Sequence, residues 1–498
     1  MRYLERCGDG WWTRWKLELA EIITLGWPNS VGAFASFLPG FVMLMFFKDA
    51  NELAAAGMGF MFGNVTGLSV IIGFSTGLSP LASQAFGAGN LRRVGQLLQR
   101  QVMMHLLLIC VPVAIIWLAT EPLLLSLGQP PDIAALSRLF LYWRLPALPF
   151  MALQQDLTIV LQAQRVVKGP MILACVMSVV TVALLWACIQ GLGFVGAPLA
   201  LTISNVLSGG LLVALAPRWF ASAALPKWSL AAAFDFTGWG ELLRLSLPGA
   251  LMLWAEWWGW EINLLFAGLL CTKDEAISGV PSHVSCAPLD LFPILSSTMV
   301  ISFFVHVGFS VAASAHVGNL LGASDPVRAR TASQATLVLV LAIAAVESSL
   351  LLSWRKQWGK LFTPGEPELV EMVGEQLPLI ALYVLFDALG PGALNSILRG
   401  VGLMRIPAVI NVTAFYVFGI PAGLGLAFGL SWGLVGLWTG LLVGMGLMVL
   451  GLSCYLFHGV DWARAAAVAS ATAAATPAPV VADAESEATI ELRETEAI

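Results

Sequence analysis

About twelve long apolar stretches, separated by short polar breaks, constrain this chain more than any other feature of its sequence. A helix needs about 20 predominantly apolar residues to cross a bilayer, and each stretch is close to that length. Inside a bilayer every backbone amide must bond within its own segment, so such stretches fold as helices. The sequence therefore predicts an all-α integral membrane protein with twelve transmembrane helices. The predicted spans are 27–47, 52–76, 102–125, 140–161, 171–191, 196–215, 242–270, 291–313, 336–354, 377–398, 407–428 and 434–457.

The composition agrees with a lipid environment and excludes several classes of function. Charged residues make up 11% of the chain, whereas a soluble domain usually carries about 25%. The net charge of -5 reflects acids gathered in the C-terminal tail, so no surface for nucleic acid is indicated. The spans contain no histidine cluster, no paired-aspartate motif and no nucleophile constellation. We therefore predict a protein that is not an enzyme and that uses neither a metal nor an organic cofactor.

An internal duplication organises the spans into two lobes. Gly73-Phe74-Ser75 recurs as Gly308-Phe309-Ser310, and at the same offset Gly87-Ala88 falls on Gly322-Ala323. One such match arises easily by chance in a chain rich in small residues, but several in the same order indicate a repeat. An even number of spans gives both copies the same orientation. We predict two homologous six-helix lobes related by an axis along the membrane normal.

The distribution of Lys and Arg predicts the orientation of these lobes. Basic residues are concentrated in the loops on one side of the predicted spans, which by the positive-inside rule places both termini in the cytoplasm. The chain then divides into a cytoplasmic interfacial segment, an N-terminal lobe, a cytoplasmic linker, a C-terminal lobe and a disordered cytoplasmic tail, with the ranges 1–26, 27–216, 217–240, 241–460 and 461–498.

Three acids lie where charges are costly. Glu256 and Glu261 fall in the middle of the seventh span, and Asp387 falls in the tenth. Each carboxylate at the centre of a span costs about 3 kcal/mol, so these groups must face a polar cavity or carry a proton. Five residues of spacing turn a helix so that Glu256 and Glu261 point about 140° apart. One is expected to face the central cavity and the other the interior of the lobe, where Asp387 could meet it.

The surroundings of these acids suggest a cation as ligand. Trp257 and its neighbouring indoles offer aromatic faces that attract organic cations. Such a cation would compete with protons for the same carboxylates, which is the physical basis of an antiporter. Alternatively, the acids are simply paired within the bundle, and Trp260 belongs to the aromatic belt at the membrane interface. An asparagine such as Asn64 in the second span is more often an interhelical hydrogen-bond partner than a ligand.

Several further residues are left open by the sequence. Glu347 in the ninth span is a weaker candidate for a functional acid, and His306 in the eighth span could titrate. Cys271 and Cys286 share a long loop on the predicted non-cytoplasmic side, where a disulfide is chemically permitted. Whether they pair is not determined by two cysteines alone.

Four motifs together resemble the eukaryotic branch of the multidrug and toxic compound extrusion (MATE) family. Ser83-Gln84-Ala85-Phe86-Gly87-Ala88-Gly89-Asn90 follows the second span, and Ser314-Ala315-His316-Val317-Gly318-Asn319-Leu320-Leu321-Gly322-Ala323 follows the eighth. The other two are Glu256-Trp257-Trp258-Gly259-Trp260-Glu261 and Leu385-Phe386-Asp387-Ala388-Leu389. The family consists of twelve-helix exporters that exchange substrates for protons or sodium.

The resemblance implies roles for individual residues. Glu256, Glu261 and Asp387 fall on acids that the family uses for proton coupling and cation binding, and Asn64 matches a polar position of the first lobe. The chain departs from the family pattern where animal members carry another glutamate, since Ser297 stands there. It also has no acid in the first span, unlike prokaryotic relatives.

The sequence as a whole predicts a secondary active exporter of small organic, often cationic, compounds. It would work by alternating access, driven by a proton gradient, as a multi-pass monomer in the plasma membrane or the vacuolar membrane. A sodium-coupled exporter and a lipid flippase on a related two-lobed fold are the alternatives. The expected partners are the organic solute and the lipid bilayer.

Overall fold

The computed structural model describes residues 10–219, 229–278, 287–363 and 365–474, and within these ranges it contains helices and no strands. We number the long helices as follows: α1 Trp11–Leu44, α2 Asn51–Gly87, α3 Leu91–Leu118, α4 131–163, α5 Lys168–Leu192, α6 Gly196–Trp219, α7 Phe236–Ser278, α8 Ala287–Gly322, α9 Pro326–Trp358, α10 Pro367–Val401, α11 Arg405–Gly429, α12 Gly433–Gly459 and α13 Trp462–Ala474. Two short helices, Thr120–Ser126 and Leu230–Ala233, lie between them.

The helices α1 to α12 follow the twelve predicted spans in order, so the all-α prediction is confirmed for the described residues. By length and composition, eight helical stretches are able to cross a membrane. One of them, Lys168–Trp219, contains both α5 and α6, which turn back on each other at Gly193 and pack side by side. Hydropathy alone was therefore sufficient to locate the spans. In lipid, the backbone N–H and C=O groups of each apolar stretch must be hydrogen-bonded within the stretch itself, and a helix achieves this.

Each lobe has a core of its own. In the first lobe Trp117 and Phe140 are almost fully buried, and in the second lobe Tyr383, Phe415 and Trp438 are. Most buried apolar side chains of the second lobe form one cluster, and most of those of the first lobe form two others. The two halves of the chain therefore pack internally as separate helical bundles.

The outer surface of the bundle is apolar. Leu107, Ile115, Val179, Leu265 and Leu450 are each more than 40% exposed. A soluble protein rarely leaves so many large apolar side chains on its surface. This surface fits a hydrocarbon solvent.

The lobes contact each other through the first two helices of each. Helix α1 packs along α8, and α2 packs along α7, so each lobe presents its first helix to the second helix of the other. Ser30 on α1 donates a hydrogen bond to the carbonyl of Val305 at 2.8 Å. Trp254 on α7 donates its indole N–H to the carbonyl of Ser69 at 3.0 Å. The two contacts are the pattern expected of a duplicated chain.

The closest approach between the lobes is made by two glycines at the face of the bundle that carries the turns 88–90 and 323–325, here called the basic face. A Cβ added to Gly87 would lie 2.0 Å from the carbonyl oxygen of Asn319, and one added to Gly322 would lie 2.0 Å from that of Gln84. Only glycine allows backbones to approach so closely. The two copies of the repeated motif therefore meet each other and hold the lobes together at this face.

A buried ion-pair network joins the lobes at the same face. Glu18 of α1, which is 1% exposed, accepts hydrogen bonds from His316 Nε2 at 2.5 Å and from Arg328 Nε at 2.6 Å. Arg165 donates to His316 Nδ1 at 3.1 Å. Burial acts to raise the pKa of Glu18, but the hydrogen bonds and charges of His316 and Arg328 outweigh it, and the pKa is lowered below its ordinary value. Glu18 is therefore held as a carboxylate between two donors.

The predicted boundary between an interfacial segment 1–26 and the first span falls inside one helix, and where the membrane begins along it stays a prediction. Helix α1 runs without a break from Trp11 to Leu44. Ile22 on its first half is fully buried and packs in a cluster with Val317 and Leu321 of α8. Tertiary packing against the second lobe thus continues the helix where the sequence alone suggested a separate amphipathic piece.

The prediction of a disordered tail over 461–498 is wrong for residues 462–474. Trp462–Ala474 forms α13, which buries Ala466, Ala469 and Ala473 along one side. Asn90 of the first lobe donates a hydrogen bond to the carbonyl of Ala473 at 2.9 Å. An alanine-rich stripe provides little hydrophobic signal in a sequence, but it allows a helix to pack closely. Residues 475–498 lie outside the described ranges.

The sequence left open whether Cys271 pairs with Cys286. Cys286 and the side chain of Cys271 lie outside the described residues, so the structure does not bear on this pairing.

We expect Gly87→Ala and Gly322→Ala to destabilise the closed basic face by about 1–3 kcal/mol each, because the added methyl has no space. The measurement is the rate of thiol labelling at Ser83→Cys, which is buried in this contact, in a background without other reactive cysteines. Labelling should accelerate when either glycine is replaced. Gly210→Ala is the matched control, since nothing lies within 4 Å of its added Cβ. Equal labelling rates for all variants would contradict the packing described.

We expect Glu18→Gln to lower the free energy of unfolding by about 3 kcal/mol at neutral pH, because it leaves buried donors without their anion. The folded pKa of Glu18 lies below its ordinary value, so its stabilisation is present above the ordinary carboxyl range and is lost as the pH falls through the folded pKa. Thermal unfolding in detergent should show a smaller loss of Tm on acidification for Glu18→Gln than for the native protein. The same pH dependence in both proteins would argue against this role.

Candidate functional site

Two of the acids predicted to be functional meet between α7 and α10. Glu256 is 7% exposed and Asp387 is 2% exposed, and their carboxyl groups lie within hydrogen-bond reach of each other. Two carboxylates have no hydrogen to share, so this contact requires a proton on one of them. A π-helical segment, Ala388–Leu394, begins directly after Asp387 and contains Pro391. Such local distortions of a helix occur frequently at functional sites.

Two cationic or titratable groups lie beside this acid pair. His306 on α8 places Nε2 3.2 Å from Asp387 Oδ2. The geometry is that of an ion pair without a well-aligned hydrogen bond, since neither ring nitrogen of His306 has a hydrogen-bond partner in the described structure. Arg399, half-buried about one turn beyond the π-helical segment, acts on Glu256 through its charge. The pair is therefore surrounded by groups that can stabilise negative charge.

A third acid belongs to the same cluster. Glu347 on α9 accepts a hydrogen bond from Ser302 at 2.7 Å, while its other oxygen has no described partner. It also interacts electrostatically with His306 and Asp387. The sequence left Glu347 and His306 open as candidates, and the structure brings both to the acid pair. We call Glu256, His306, Glu347, Asp387 and Arg399 the acid cluster.

The indoles of α7 divide into two environments. Trp260 donates a hydrogen bond to the hydroxyl of Tyr383 at 2.9 Å and packs edge-on against Tyr383 and Trp438. It therefore belongs to the interior of the second lobe and not to an interfacial belt. Trp254 stacks on Trp258 with ring centres 5.1 Å apart and planes within 4°. This flat pair lies on the same helix as Glu256, where α7 leaves its contact with the first lobe.

Glu261, Trp257 and Asn64 are not brought into the acid cluster by any described contact. Glu261 is half-buried and no charged partner acts on it among the described side chains. Of the two acids pointing about 140° apart on α7, Glu256 is thus the one that meets Asp387. Asn64 begins a π-helical segment, Asn64–Leu68, in the first lobe. The roles predicted for these three residues stay predictions.

A buried pair of a histidine and an aspartate, which the sequence did not reveal, lies in the first lobe. His105 Nδ1 is 2.8 Å from Asp156 Oδ2, and both side chains are fully buried. Asp156 was recognisable as an acid within a span, but His105 is more than 50 residues away in the sequence, and no spacing rule links them. Among the described residues, no group of three or more His, Cys, Asp and Glu side chains is arranged to hold a metal ion.

Comparisons with known proteins point in one direction. The family model described as MatE matches residues 33–187 and 273–424. Multidrug and toxin extrusion protein 2 of Mus musculus is 33% identical over 455 residues, which cover 90% of this chain and 76% of that protein. Protein DETOXIFICATION 51 of Arabidopsis thaliana is 30% identical over 472 residues, which cover 94% of this chain and 85% of that protein.

Solved structures share the fold. The crystal structure of the eukaryotic MATE transporter AtDTX14 superposes with a TM-score of 0.84 at 27% identity, covering 92% of this chain and 100% of that one. The Vibrio cholerae MATE transporter VcmN in its bent form gives a TM-score of 0.76 at 18% identity, covering 92% of this chain and 99% of that one. At that identity the second match speaks for the fold alone. The predicted two-lobed bundle of twelve helices is confirmed.

We expect infrared difference spectra to show one protonated carboxyl group less in Glu256→Gln than in the native protein near neutral pH. The glutamine amide can donate to Asp387 directly, so the shared proton is no longer required. Glu121→Gln is the control, because Glu121 forms an exposed ion pair with Arg138 at 3.1 Å and should leave the spectrum unchanged. An identical protonated-carboxyl band in native protein and Glu256→Gln would rule out the shared proton.

Proposed function

This chain belongs to the MatE family of multidrug and toxin extrusion transporters, and on that basis we propose that it exports small organic compounds in exchange for protons. The family membership confirms the resemblance found in the sequence motifs and makes transport the activity. The direction of transport, the coupling ion and the residues that couple them are our proposal.

The observation that carries the proposal is the contact between Glu256 and Asp387. A carboxyl pair that shares one proton in a buried site has two stable occupants, the proton and a cation that replaces it. The two cannot be bound together without leaving an excess of positive charge beside Arg399. Exclusive binding of proton or substrate at the same carboxyls is the minimum requirement for antiport.

The surroundings of the acid pair favour an organic substrate and a proton over sodium. Sodium requires several oxygen ligands converging on one ion. Here the positive charge of Arg399 acts on Glu256, and the imidazole of His306 lies beside Asp387. The stacked indoles of Trp254 and Trp258 offer flat faces to an aromatic or amphipathic cation. The small, often cationic organic solutes that the sequence suggested fit this chemistry.

The contacts between the lobes support an outward-facing state in the proposed transport cycle. The lobes meet tightly at the basic face through Gly87 and Gly322, so a substrate site between them would open toward the opposite face. With the basic face in the cytoplasm, as the Lys and Arg distribution predicts, this is the outward-facing state. Rocking of the two lobes about the acid cluster would then provide alternating access.

A single chain supplies both lobes and both faces of the site, which supports a functional monomer. We place it in the plasma membrane or the vacuolar membrane with both termini in the cytoplasm. Export across either membrane removes a compound from the cytoplasm.

The deciding experiment is uptake of a fluorescent organic cation into proteoliposomes with an acidic interior. We expect gradient-driven uptake by the native protein and a loss of about ten-fold or more in both Glu256→Gln and Asp387→Asn, because neither variant retains the exchangeable proton. Glu121→Gln should transport normally. Uptake that follows an imposed sodium gradient and ignores the pH gradient would favour the sodium-coupled alternative, and uptake of a labelled lipid in place of every cation would favour a flippase.

A further inference from the structure

The pair of His105 and Asp156 belongs to a small, enclosed polar cluster in the first lobe. Ser75 on α2, Gln101 and His105 on α3, and Asp156 on α4 are each fully buried. Asp156 Oδ1 accepts from Ser75 at 3.1 Å, and Asp156 Oδ2 lies 2.8 Å from His105 Nδ1. Three helices thus contribute to one site that has no contact with the acid cluster of the second lobe.

One arrangement of protons satisfies these hydrogen bonds. In it Asp156 is ionised and accepts at both oxygens, and His105 Nδ1 carries a hydrogen. The Nε2 atom of Gln101 lies 3.4 Å from His105 Nε2 and also donates to the carbonyl of Phe74 at 3.2 Å. An amide N–H facing His105 Nε2 requires that nitrogen to be without a hydrogen. The ring is then neutral, and the cluster carries the single negative charge of Asp156.

Among the described residues, no Lys or Arg acts on the charge of Asp156. The groups that act on Asp156 are His105 and Ser75, and the thiol of Cys110 is the other titratable group that senses it. Two basic residues of α3 are paired elsewhere, since Arg93 pairs with Glu241 at 2.6 Å and Arg100 pairs with Asp235 at 2.5 Å. A buried carboxylate without a cation is costly, and one additional proton on His105 would neutralise the pair.

We propose that His105 and Asp156 form a proton-binding site of the first lobe, with Gln101 as the residue that accommodates both states. A proton that binds forms an N–H bond at His105 Nε2, and this N–H requires an acceptor. Gln101 Oε1 is buried and has no hydrogen-bond partner in the described structure. If the Gln101 amide turns by 180°, Oε1 replaces the NH₂ group beside His105 Nε2. Gln101 can therefore donate to the neutral imidazole in one orientation and accept from the protonated imidazole in the other.

The same rotation reaches the contact between the lobes. When Gln101 turns, the carbonyl of Phe74 loses its donor, and the ring of Phe74 packs against Trp254 of α7 at a centre distance of 6.1 Å. Trp254 in turn bonds the backbone of α2 at Ser69. Proton binding at His105 therefore alters a hydrogen bond directly beside the place where α2 meets α7. The use of this proton in transport rests on the proposed function, but the binding itself does not.

The test counts protons in the absence of transport. The purified, full-length protein in nanodiscs is titrated between about pH 5 and about pH 8 in weakly buffered solution, and proton uptake per molecule is measured with a pH-sensitive dye. We expect Asp156→Asn and His105→Gln each to take up about one proton fewer than the native protein over this range. If one of the two variants does not fold, as judged by thermal unfolding, the other gives the count.

Ser137→Ala is the matched control, because it removes a buried hydrogen bond of the first lobe, to the carbonyl of Ala55 at 3.1 Å, but no titratable group. It should lower Tm and leave the proton count unchanged. Proton counts equal to native in folded Asp156→Asn and His105→Gln would overturn the proposal and leave the pair as a static brace between helices. Failure of gradient-driven cation uptake by the native protein would instead remove the proposed function while leaving the proton count as predicted here.

Discussion

A charge inside a membrane domain must be compensated by a neighbour or by a proton, and the interior of this protein is arranged around that requirement. Glu256 and Asp387 are buried side by side with Arg399 acting on Glu256, and in the proposed function they satisfy it with a shared proton. Glu18 satisfies it with His316 and Arg328, outside the predicted span, where permanent cations are available. The difference is functional: the first arrangement can change its protonation with little rearrangement, whereas the second is fixed by its donors and stabilises a lobe contact.

The sequence predicts the architecture because the bilayer imposes it. Apolar length locates each span, and the recurrence of Gly73-Phe74-Ser75 reveals the duplication without knowledge of any contact. The cost of a charge in lipid similarly singles out Glu256, Glu261 and Asp387. These rules act on one position at a time, so a single sequence is sufficient to apply them.

Those rules do not predict which side chains of different helices meet. The 140° between Glu256 and Glu261 limits them to different directions, but only the packing of α7 against α10 decides that Glu256 meets Asp387. The partnership of His105 with Asp156 has the same cause, since the register of α3 against α4 is determined by many small side chains together. Helix α13 was missed because its alanines gain stability only from the surfaces on which they lie.

Helix α13 has a mechanical consequence for a protein built from two similar halves. It packs on α8 and α9 of the second lobe and on the end of α2 in the first, where Asn90 holds the carbonyl of Ala473. Helix α13 thus acts as a latch, a segment that bridges the two lobes at the seam where they meet. It follows the second repeat in the chain and is not part of either repeat. Opening the seam on this side must release the latch, while opening on the other side need not disturb it. Although the two lobes share one fold, opening the bundle at the basic face therefore meets more resistance than opening it at the opposite face. The balance between the two open states depends on α13, which belongs to neither repeat.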